Sequence, residues 1–302
     1  MSSRATKAAL SLRNEERQIM PQPRVHTYRA AEAGLLVNSY LIEGDEGVLV
    51  VDTNLLVSDI EALRARLGAL KKRLVGVVVT HAHPDHFNGV FGLVKEREVP
   101  VYATPSVARV IQEIAEAKRA QWSPFYGEAW PTETYYPNTL VADGQPIPFE
   151  GMTVSIHEVG PAESHADSYL LVGLPGRHPV AFIGDLAFHG THPYTADGHS
   201  GPWLAALDVL TDRLAEASVL YPGHGDAAGP QVLADQRRYL LYYREMVRRL
   251  AKGEPALSEA AKQDLDRSLQ AYLPDAPLTW MIGLGADAVA AELASDATLA
   301  VR

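Results

Sequence analysis

The chain has 302 residues, of which 47% are hydrophobic and 21% are charged, as in an ordinary globular protein. Its formal net charge of −10 disfavours nucleic-acid binding, because phosphate backbones are normally bound by a basic surface. The sequence contains no cysteine, which excludes disulfides, thiolate metal ligands and a cysteine nucleophile.

The beginning of the chain is polar. Residues 1–22 have no apolar stretch of the length that a secretory signal needs, and no run of eighteen apolar residues occurs anywhere. We therefore expect a cytoplasmic protein with no membrane partner. The composition along the chain predicts a polar N-terminal segment over 1–22, a main domain over 23–226 and a C-terminal helical extension over 227–302 that packs on it.

The first third of the chain predicts a β-α-β unit. Apolar alternation at 38–42 and an apolar run at 47–52 predict a hairpin that turns across 44–47. Residues 58–70 have helical spacing, and the apolar residues that follow predict a strand over 74–80. Further strands are predicted at 100–103, 152–159 and 168–172, and a further helix at 106–121.

The C-terminal part of the chain is predicted to be helical. One helix begins near Pro230, which is tolerated at the first helical position, and ends before Gly253. Two more are predicted at about 258–272 and 286–293, and this extension either packs on the main domain or forms a dimer contact. The first of these helices is basic, as a solvated face or as a site for an anionic substrate group, through Arg237, Arg238, Arg244, Arg248 and Arg249.

The most informative segment follows the apolar run 77–79 and reads Thr80-His81-Ala82-His83-Pro84-Asp85-His86. Zinc accepts imidazole nitrogen and carboxylate oxygen, usually with four ligands in all. A His-x-His pair in a turn can direct two rings to one ion, and the Asp-His pair beyond the proline can face a second ion. The sequence therefore predicts a metal site with room for two metals.

This segment resembles the His-x-His-x-Asp-His signature of the metallo-β-lactamase-fold superfamily of hydrolases. Four further positions are similar to superfamily landmarks in the same order: Asp52 after the strand 48–51, His165 in the loop 160–168, Asp185 after the strand 181–183, and His224 in the segment 219–225. The loop around His165 departs from the Gly-His-Thr-Pro-Gly wording that is common in the family.

The resemblance implies a fold and a set of ligands. The fold is an α/β (α+β) four-layer αββα sandwich, in which two mixed sheets are flanked by helices, here with a C-terminal helical extension. Asp52 is expected to orient a ligand without touching the metal. The implied ligands are His81, His83 and His165 for the first metal, Asp85, His86 and His224 for the second, and Asp185 as a bridge between them.

The resemblance also implies a reaction. Two zinc ions per chain, with iron or manganese as alternatives, would share a hydroxide that attacks the carbonyl of a small ester, lactone or thioester. Asp85 would orient this nucleophile. Dedicated β-lactamases of the superfamily usually lack a bridging aspartate, so Asp185 argues against that activity. The alternatives are a phosphodiesterase, a β-lactamase and a mononuclear iron oxidoreductase similar to persulfide dioxygenases. The expected partners are a small-molecule substrate and a second copy in a homodimer.

Two insertions are candidates for substrate selection. Residues 122–137 are rich in aromatic side chains among prolines and glycine, too irregular for a simple helix, and either roof the metal cleft or pack a long connection onto the body. Residues 188–201 follow the predicted bridging aspartate and carry several polar groups. Among them we expect Tyr194 to be a catalytic hydroxyl donor to a carbonyl or a leaving group.

Overall fold

The structure is a computed structural model that describes residues 24–95, 98–173 and 175–300. The polar segment predicted over 1–22 lies outside these ranges. The strands are β1 (Arg24–Arg29), β2 (Asn38–Glu43), β3 (Gly47–Val51), β4 (Arg73–Val78), β5 (Val101–Ala103), β6 (Thr139–Leu140), β7 (Pro146–Phe149), β8 (Met152–Gly160), β9 (Asp167–Gly173), β10 (Val180–Gly184) and β11 (Val219–Pro222).

The α-helices of the described ranges are numbered in the same way. They are α1 (Val57–Ala69), α2 (Pro84–Phe87), α3 (Val90–Val94), α4 (Pro105–Tyr126), α5 (Ser200–Arg213), α6 (Gln231–Ala251), α7 (Glu259–Tyr272), α8 (Trp280–Leu284) and α9 (Ala286–Ala300), with short 3₁₀ turns at Glu32–Gly34 and Gly127–Ala129. None of these helices is both long and apolar enough to cross a membrane.

The elements predicted from the sequence are confirmed with small shifts at their ends. The largest difference concerns α9, which the sequence predicts to end at residue 293 and the structure continues to Ala300. The helix α4, which the periodicity ends at Gln121, continues to Tyr126. Pro124 lies inside this helix but in its last turn, where a missing N–H costs less than in the middle of a helix. The first part of the aromatic insertion is therefore helical, which the sequence did not predict.

The described strands form two mixed sheets. The first has the order β1-β2-β3-β4-β5-β6, and the second has the order β11-β10-β9-β8-β7. In the first sheet β2 is antiparallel to β3, as the predicted hairpin requires, whereas β3, β4, β5 and β6 run parallel. Parallel strands need crossovers, and α1 provides the one between β3 and β4.

The two sheets pack face to face between two layers of helices, which confirms the four-layer αββα architecture. The residues of β3 show how one strand serves two layers, because all of them are buried. Val48 and Val50 face the helices of the first sheet, whereas Leu49 and Val51 face the second sheet, as the period-2 geometry of a strand dictates. On the far side, Trp203 and Leu207 of α5 pack against the outer face of the second sheet.

The C-terminal helices pack on this body. Val232, Leu233 and Leu240 of α6 join the apolar cluster beneath α5, while the other side of α6 packs against α7, α8 and α9. The last helix is also held by polar contacts, because the Glu292 carboxylate accepts hydrogen bonds from the backbone N–H groups of Ser200 (3.1 Å) and Gly201 (2.6 Å).

Four of the five arginines of α6 form ion pairs. Arg237 pairs with Asp208 on α5, Arg244 lies 3.1 Å from Glu292, and the remaining pairs join Arg238 to Asp235 and Arg248 to Glu245. Of the two interpretations left open by the sequence, the structure supports a solvated face held by ion pairs.

Candidate metal centre

The predicted ligands lie where several strands end. His81, His83, Asp85 and His86 follow β4, with Pro84 at the first position of the short helix α2. Asp185 follows β10 and His224 follows β11 in the second sheet. The C-terminal ends of strands in both sheets therefore supply one site. Rigid strands thus fix the start of each loop, which is the arrangement that positions side chains precisely.

The first cluster contains His81, His83, Glu163 and Asp185, all buried, with candidate ligand atoms within 4.8 Å of one another. His83 Nδ1 lies 3.0 Å from Glu163 Oε2, and His81 Nε2 lies 3.7 Å from the same oxygen. Two imidazoles and two carboxylates are a donor set that suits zinc, iron or manganese.

The second cluster contains Asp85, His86 and His224, again all buried. Asp85 Oδ2 lies 3.2 Å from His224 Nε2 and 3.6 Å from His86 Nε2. Its two nitrogen donors and one carboxylate provide three of the four ligands that a tetrahedral ion requires, which leaves a position for Asp185, water or substrate.

Asp185 lies between the clusters. Its Oδ1 is 3.4 Å from His86 Nε2, and its Oδ2 is 3.4 Å from His224 Nε2 and 3.9 Å from His81 Nε2. Gly223 leaves room for this carboxylate, because a Cβ at that position would lie 2.0 Å from Asp185 Oδ1. The geometry is that of a carboxylate able to contact two cations at once.

Unpaired polar atoms indicate that these groups fit a cation. Among the described residues, five buried side-chain atoms that have no hydrogen-bond partner belong to the clusters: His81 Nε2, His86 Nε2, both carboxylate oxygens of Glu163, and Asp185 Oδ1. A buried polar atom without a partner costs free energy, and unpaired carboxylates cost more. Divalent cations would satisfy all five atoms.

The outer nitrogens of the second-cluster histidines are both paired. His86 Nδ1 lies 2.8 Å from Asp52 Oδ2, and His224 Nδ1 lies 2.9 Å from the carbonyl oxygen of Leu35. Such partners fix the ring orientation and direct the free nitrogen lone pair toward the metal. Asp52 therefore lies in the orienting position that the sequence predicts for it.

Asp52 also orients His81 through Thr80. The Thr80 hydroxyl donates to Asp52 Oδ2 at 2.8 Å and lies 3.0 Å from His81 Nδ1. Because the hydroxyl proton points to the carboxylate, the threonine oxygen is left to accept the proton of His81 Nδ1. His81 Nε2 then carries the lone pair that faces the cluster.

His83 is held by a residue of the second insertion. Its Nε2 lies 3.1 Å from Asp197 Oδ2, while its Nδ1 faces Glu163. Asp197 therefore orients the His83 ring of the first cluster, as Asp52 orients the His86 ring of the second. Burial opposes ionisation, but His83 and Lys118 hold the pKa of Asp197 well below its usual range, so the carboxylate stays charged.

The clusters strongly perturb the acid-base properties of their members. For the protein groups alone, burial raises the pKa of Glu163 to about 8, against the opposing charge of His83. Burial disfavours protonation of His224, yet Asp185 and Asp85 raise its pKa to about 9. For His81 the burial effect prevails and the pKa falls well below 6.5. Metal ligation requires these groups to be deprotonated, so cation and protons compete.

The structure does not bring the predicted third histidine into the first cluster. The His165 side chain is about half exposed, its Nδ1 lies 2.7 Å from His199 Nε2, and its Nε2 is 3.7 Å from Asp197. Glu163, two residues earlier in the same loop, points into the cluster instead. The loop is fixed in this orientation because the N–H groups of Ala162 and Ser164 both donate to Asp167 Oδ2.

The other predicted site residues lie at the centre. Six of the seven predicted ligands belong to the clusters, with His165 outside them. Tyr194 lies over the first cluster, its ring edge-on to His83 at a centroid separation of 5.0 Å, and its hydroxyl donates to Asp197 Oδ1 at 3.2 Å. Burial and Asp197 raise the pKa of this hydroxyl, which therefore stays protonated, as a hydrogen-bond donor must.

A cleft opens onto both clusters. Its walls come from the end of α4 with the 3₁₀ turn that follows, the short loops before β2 and after β3, the insertion 188–201, and the helix α8. The side chains that line it include Leu35, Leu55, Lys118, Trp122, Tyr126, Trp130, Phe188, Tyr194, Trp280, Met281 and Leu284. The first half of the aromatic insertion thus borders the cleft, whereas Tyr135 and Tyr136 pack onto the apolar cluster between the first sheet and its helices.

Sequence reasoning missed three residues of the site. Glu163 lies in the segment that resembles the family, where the resemblance implies the nearby histidine. Asp197 lies in the insertion 188–201, and no pattern distinguishes it there from the other polar residues. Lys118 appeared as an ordinary position of a predicted helix, although its spacing of four residues from Trp122 places both on one helix face.

Comparison with known proteins identifies a family that agrees with the observed fold. The family model of the metallo-beta-lactamase superfamily matches residues 33–224, which is more than half of the chain. A solved metallo-beta-lactamase from Pontibacter korlensis has a TM-score of 0.56 at 22% identity and covers 72% of this chain and 94% of its own, so it supports the fold.

Two curated relatives show similar segments. A hydroxyacylglutathione hydrolase of Prochlorococcus marinus (strain MIT 9301) is 24% identical over 180 residues, which are 60% of this chain and 61% of the relative. An (R)-specific secondary-alkylsulfatase of a Pseudomonas species is 39% identical over 67 residues, which are 20% of this chain and only 10% of the relative. The matched regions therefore span less than two thirds of either relative. From the family model, the sandwich and the ordered metal-ligand residues together, this chain belongs to the metallo-beta-lactamase superfamily.

Proposed function

We propose that this protein is a hydrolase with a binuclear metal centre, for which zinc is the favoured ion, and that it cleaves a small ester, lactone or thioester. The observation that carries the proposal is the pair of buried clusters that share Asp185. Members of the superfamily are mostly metal-dependent hydrolases, and a relative named as a hydroxyacylglutathione hydrolase supports a thioester among the candidate bonds.

With divalent cations bound, the centre would supply Lewis-acid polarisation of a carbonyl oxygen and a water molecule with a pKa lowered toward about 7. The protein side chains have complementary tasks. Asp85 lines the cleft as well as the second cluster, so its carboxylate is placed to accept a hydrogen bond from the attacking water. A substrate that covers the apolar walls would exclude water from the centre, which would strengthen the electrostatic interactions inside the cleft.

Tyr194 is our candidate for the hydroxyl that assists the leaving group. It lines the cleft and contacts His83, and its hydroxyl proton is now directed to Asp197. A rotation of the C–O–H torsion alone redirects this proton toward a substrate oxygen, so no movement of the ring is required. Asp197 would keep the tyrosine in place between turnovers.

Hydrolysis of an alkyl sulfate ester is a second candidate. Two observations favour it: the local identity of 39% to a relative named as an alkylsulfatase, and a cleft whose walls are mainly apolar and can accept an alkyl group. An iron centre of the mononuclear type is less favoured, because all three side chains of the second cluster are present and buried.

The test combines metal analysis with a substrate panel. Protein purified without chelator should contain about two zinc ions per chain, as a binuclear mechanism requires. It should hydrolyse at least one member of a panel of lactones, carboxylic esters, thioesters and alkyl sulfates, with β-lactams and phosphodiesters included for comparison. The member with the highest kcat/KM identifies the bond.

Matched histidine variants control the test. His83→Ala removes a ligand of the first cluster and should abolish hydrolysis. His178→Ala removes an exposed ring that pairs with Glu216 and should leave hydrolysis unchanged. A single iron per chain with consumption of oxygen would contradict the proposal, as would a fully metal-loaded protein that hydrolyses no member of the panel.

A further inference from the structure

Lys118 is the cation of the cleft. Among the described residues that line it, Lys118 is the only lysine or arginine. Its side chain is half-buried, and its ammonium lies 5.8 Å from the centroid of the Tyr194 ring, within the range of a cation–π contact. Since that ring in turn packs against His83, the ammonium lies close to the first metal cluster.

The charge of Lys118 has no committed partner. No hydrogen bond or ion pair joins it to another residue of the described ranges, whereas the arginines of α6 that face acidic neighbours are paired. Lys118 acts on the Asp197 carboxylate through its charge without a direct ion pair, and that carboxylate contacts His83 and Tyr194 instead. A half-buried, unpaired ammonium beside an active centre is a ready binding site for an anion.

An apolar surface begins next to this charge. Lys118, Trp122 and Tyr126 occupy positions i, i+4 and i+8 of α4, so the helix presents one cation and then two aromatic rings along a single face. Across the cleft lie Trp280 and Leu284 of α8, which are 49% and 42% exposed. Such large, partly exposed side chains in a concave site mark a surface that an apolar ligand would cover.

We propose that the cleft takes substrates that combine an anionic group with a hydrocarbon group, and that Lys118 selects for the anion. This inference rests on the proposed function, because the same cleft contains the metal clusters. The anion binds beside Tyr194, close to the reacting centre, and the hydrocarbon lies along Trp122 and Tyr126. Carboxylate, sulfate and phosphate share the chemistry that Lys118 recognises, and the experiment separates them.

Tryptophan fluorescence measures binding without turnover. Three of the four tryptophans line the cleft, namely Trp122, Trp130 and Trp280, while Trp203 is buried in the core. The metal-loaded protein is titrated with octane-1-sulfonate, octanoate and octyl phosphate, each below its micelle concentration, and with 1-octanol as the neutral probe of equal chain length. Ethanesulfonate carries the anion without the hydrocarbon.

The expected result is selective binding of the charged octyl probes. Lys118→Met should raise their dissociation constants about tenfold, the loss of one charge-assisted contact, and leave that of 1-octanol unchanged. Lys118→Arg should retain most of the affinity, and Lys95→Met, which removes an exposed lysine outside the cleft, should change nothing. Ethanesulfonate should bind at least ten times more weakly than octane-1-sulfonate. The anion that loses most on Lys118→Met identifies the preferred group.

Two results would overturn the inference. If the wild-type protein binds 1-octanol as tightly as the charged probes, the cleft does not select an anion. If Lys118→Met weakens all probes equally, the lysine contributes packing alone. The binding result is independent of the substrate panel, so a protein that binds as expected but hydrolyses nothing would contradict the proposed function and leave this inference intact.

Discussion

Replacing Glu163 with glutamine tests the assignment of the first cluster. The exchange preserves the size of the side chain and removes its charge. A unit charge about 4 Å from another contributes roughly 4 kcal/mol at an effective dielectric constant of about 20, and this corresponds to roughly a thousandfold in affinity. The burial that raises the pKa of Glu163 to about 8 offsets part of this gain. We therefore expect the dissociation constant of the first metal to rise about a hundredfold.

The assay is a competition between the protein and a chelator of known zinc affinity. His165→Gln is the matched control, because His165 lies two residues away with a half-exposed ring outside the cluster, and its metal affinity should change by less than about threefold. Loss of metal in His165→Gln together with normal binding in Glu163→Gln would refute the assignment.

Three further predictions concern the surroundings of the clusters. Asp197→Asn should lower metal affinity about 10- to 100-fold by releasing His83 from its outer partner, as measured by the same chelator competition; an unchanged affinity would contradict this role. Gly223→Ala should displace the Asp185 carboxylate and so lower both the metal content and the melting temperature. Normal values of both would show that the backbone moves to accommodate the methyl group. Since the pKa of His224 is about 9 without a cation, its ring holds a proton at neutral pH and must lose it on ligation. This one proton should make metal affinity rise by up to about tenfold per pH unit between about pH 6 and 8, and Glu163 should add to the slope. Calorimetry in buffers of different ionisation enthalpy counts the released protons, and no proton release at all would contradict the assignment.

The strand and helix framework was predictable because local patterns dictate it. The hairpin of β2 and β3 follows from two apolar runs around a short polar turn, and α1 follows from a stripe of apolar residues at helical spacing. The four ligands of the motif from His81 to His86 must lie close together, because they are separated by only a few residues in the chain. Asp185 and His224 were predictable through the resemblance, which supplies the order of the landmarks.

Which side chains of a loop or helix face the site depends on tertiary contacts, and this was not predictable from the sequence. Glu163 and His165 lie on one loop, and either can turn inward; the decision comes from Asp167, whose carboxylate accepts two backbone hydrogen bonds and fixes the loop. The same holds for Lys118. Its helix was predicted, but which face of that helix borders the cleft depends on Tyr194, a residue far away in the sequence.

The two outer carboxylates differ in what holds them. Asp52 follows a core strand between the layers of the sandwich. Asp197 lies three residues before Ser200, where the start of α5 is tied to Glu292 on the last helix. Fraying of that helix would therefore loosen the outer support of His83 in the first cluster, whereas loss of the second cluster requires the sheets to separate. With both clusters loaded as proposed, a chain that has begun to unfold from its C-terminal end would lose metal from the first cluster before the second, so the metal content would also measure local unfolding.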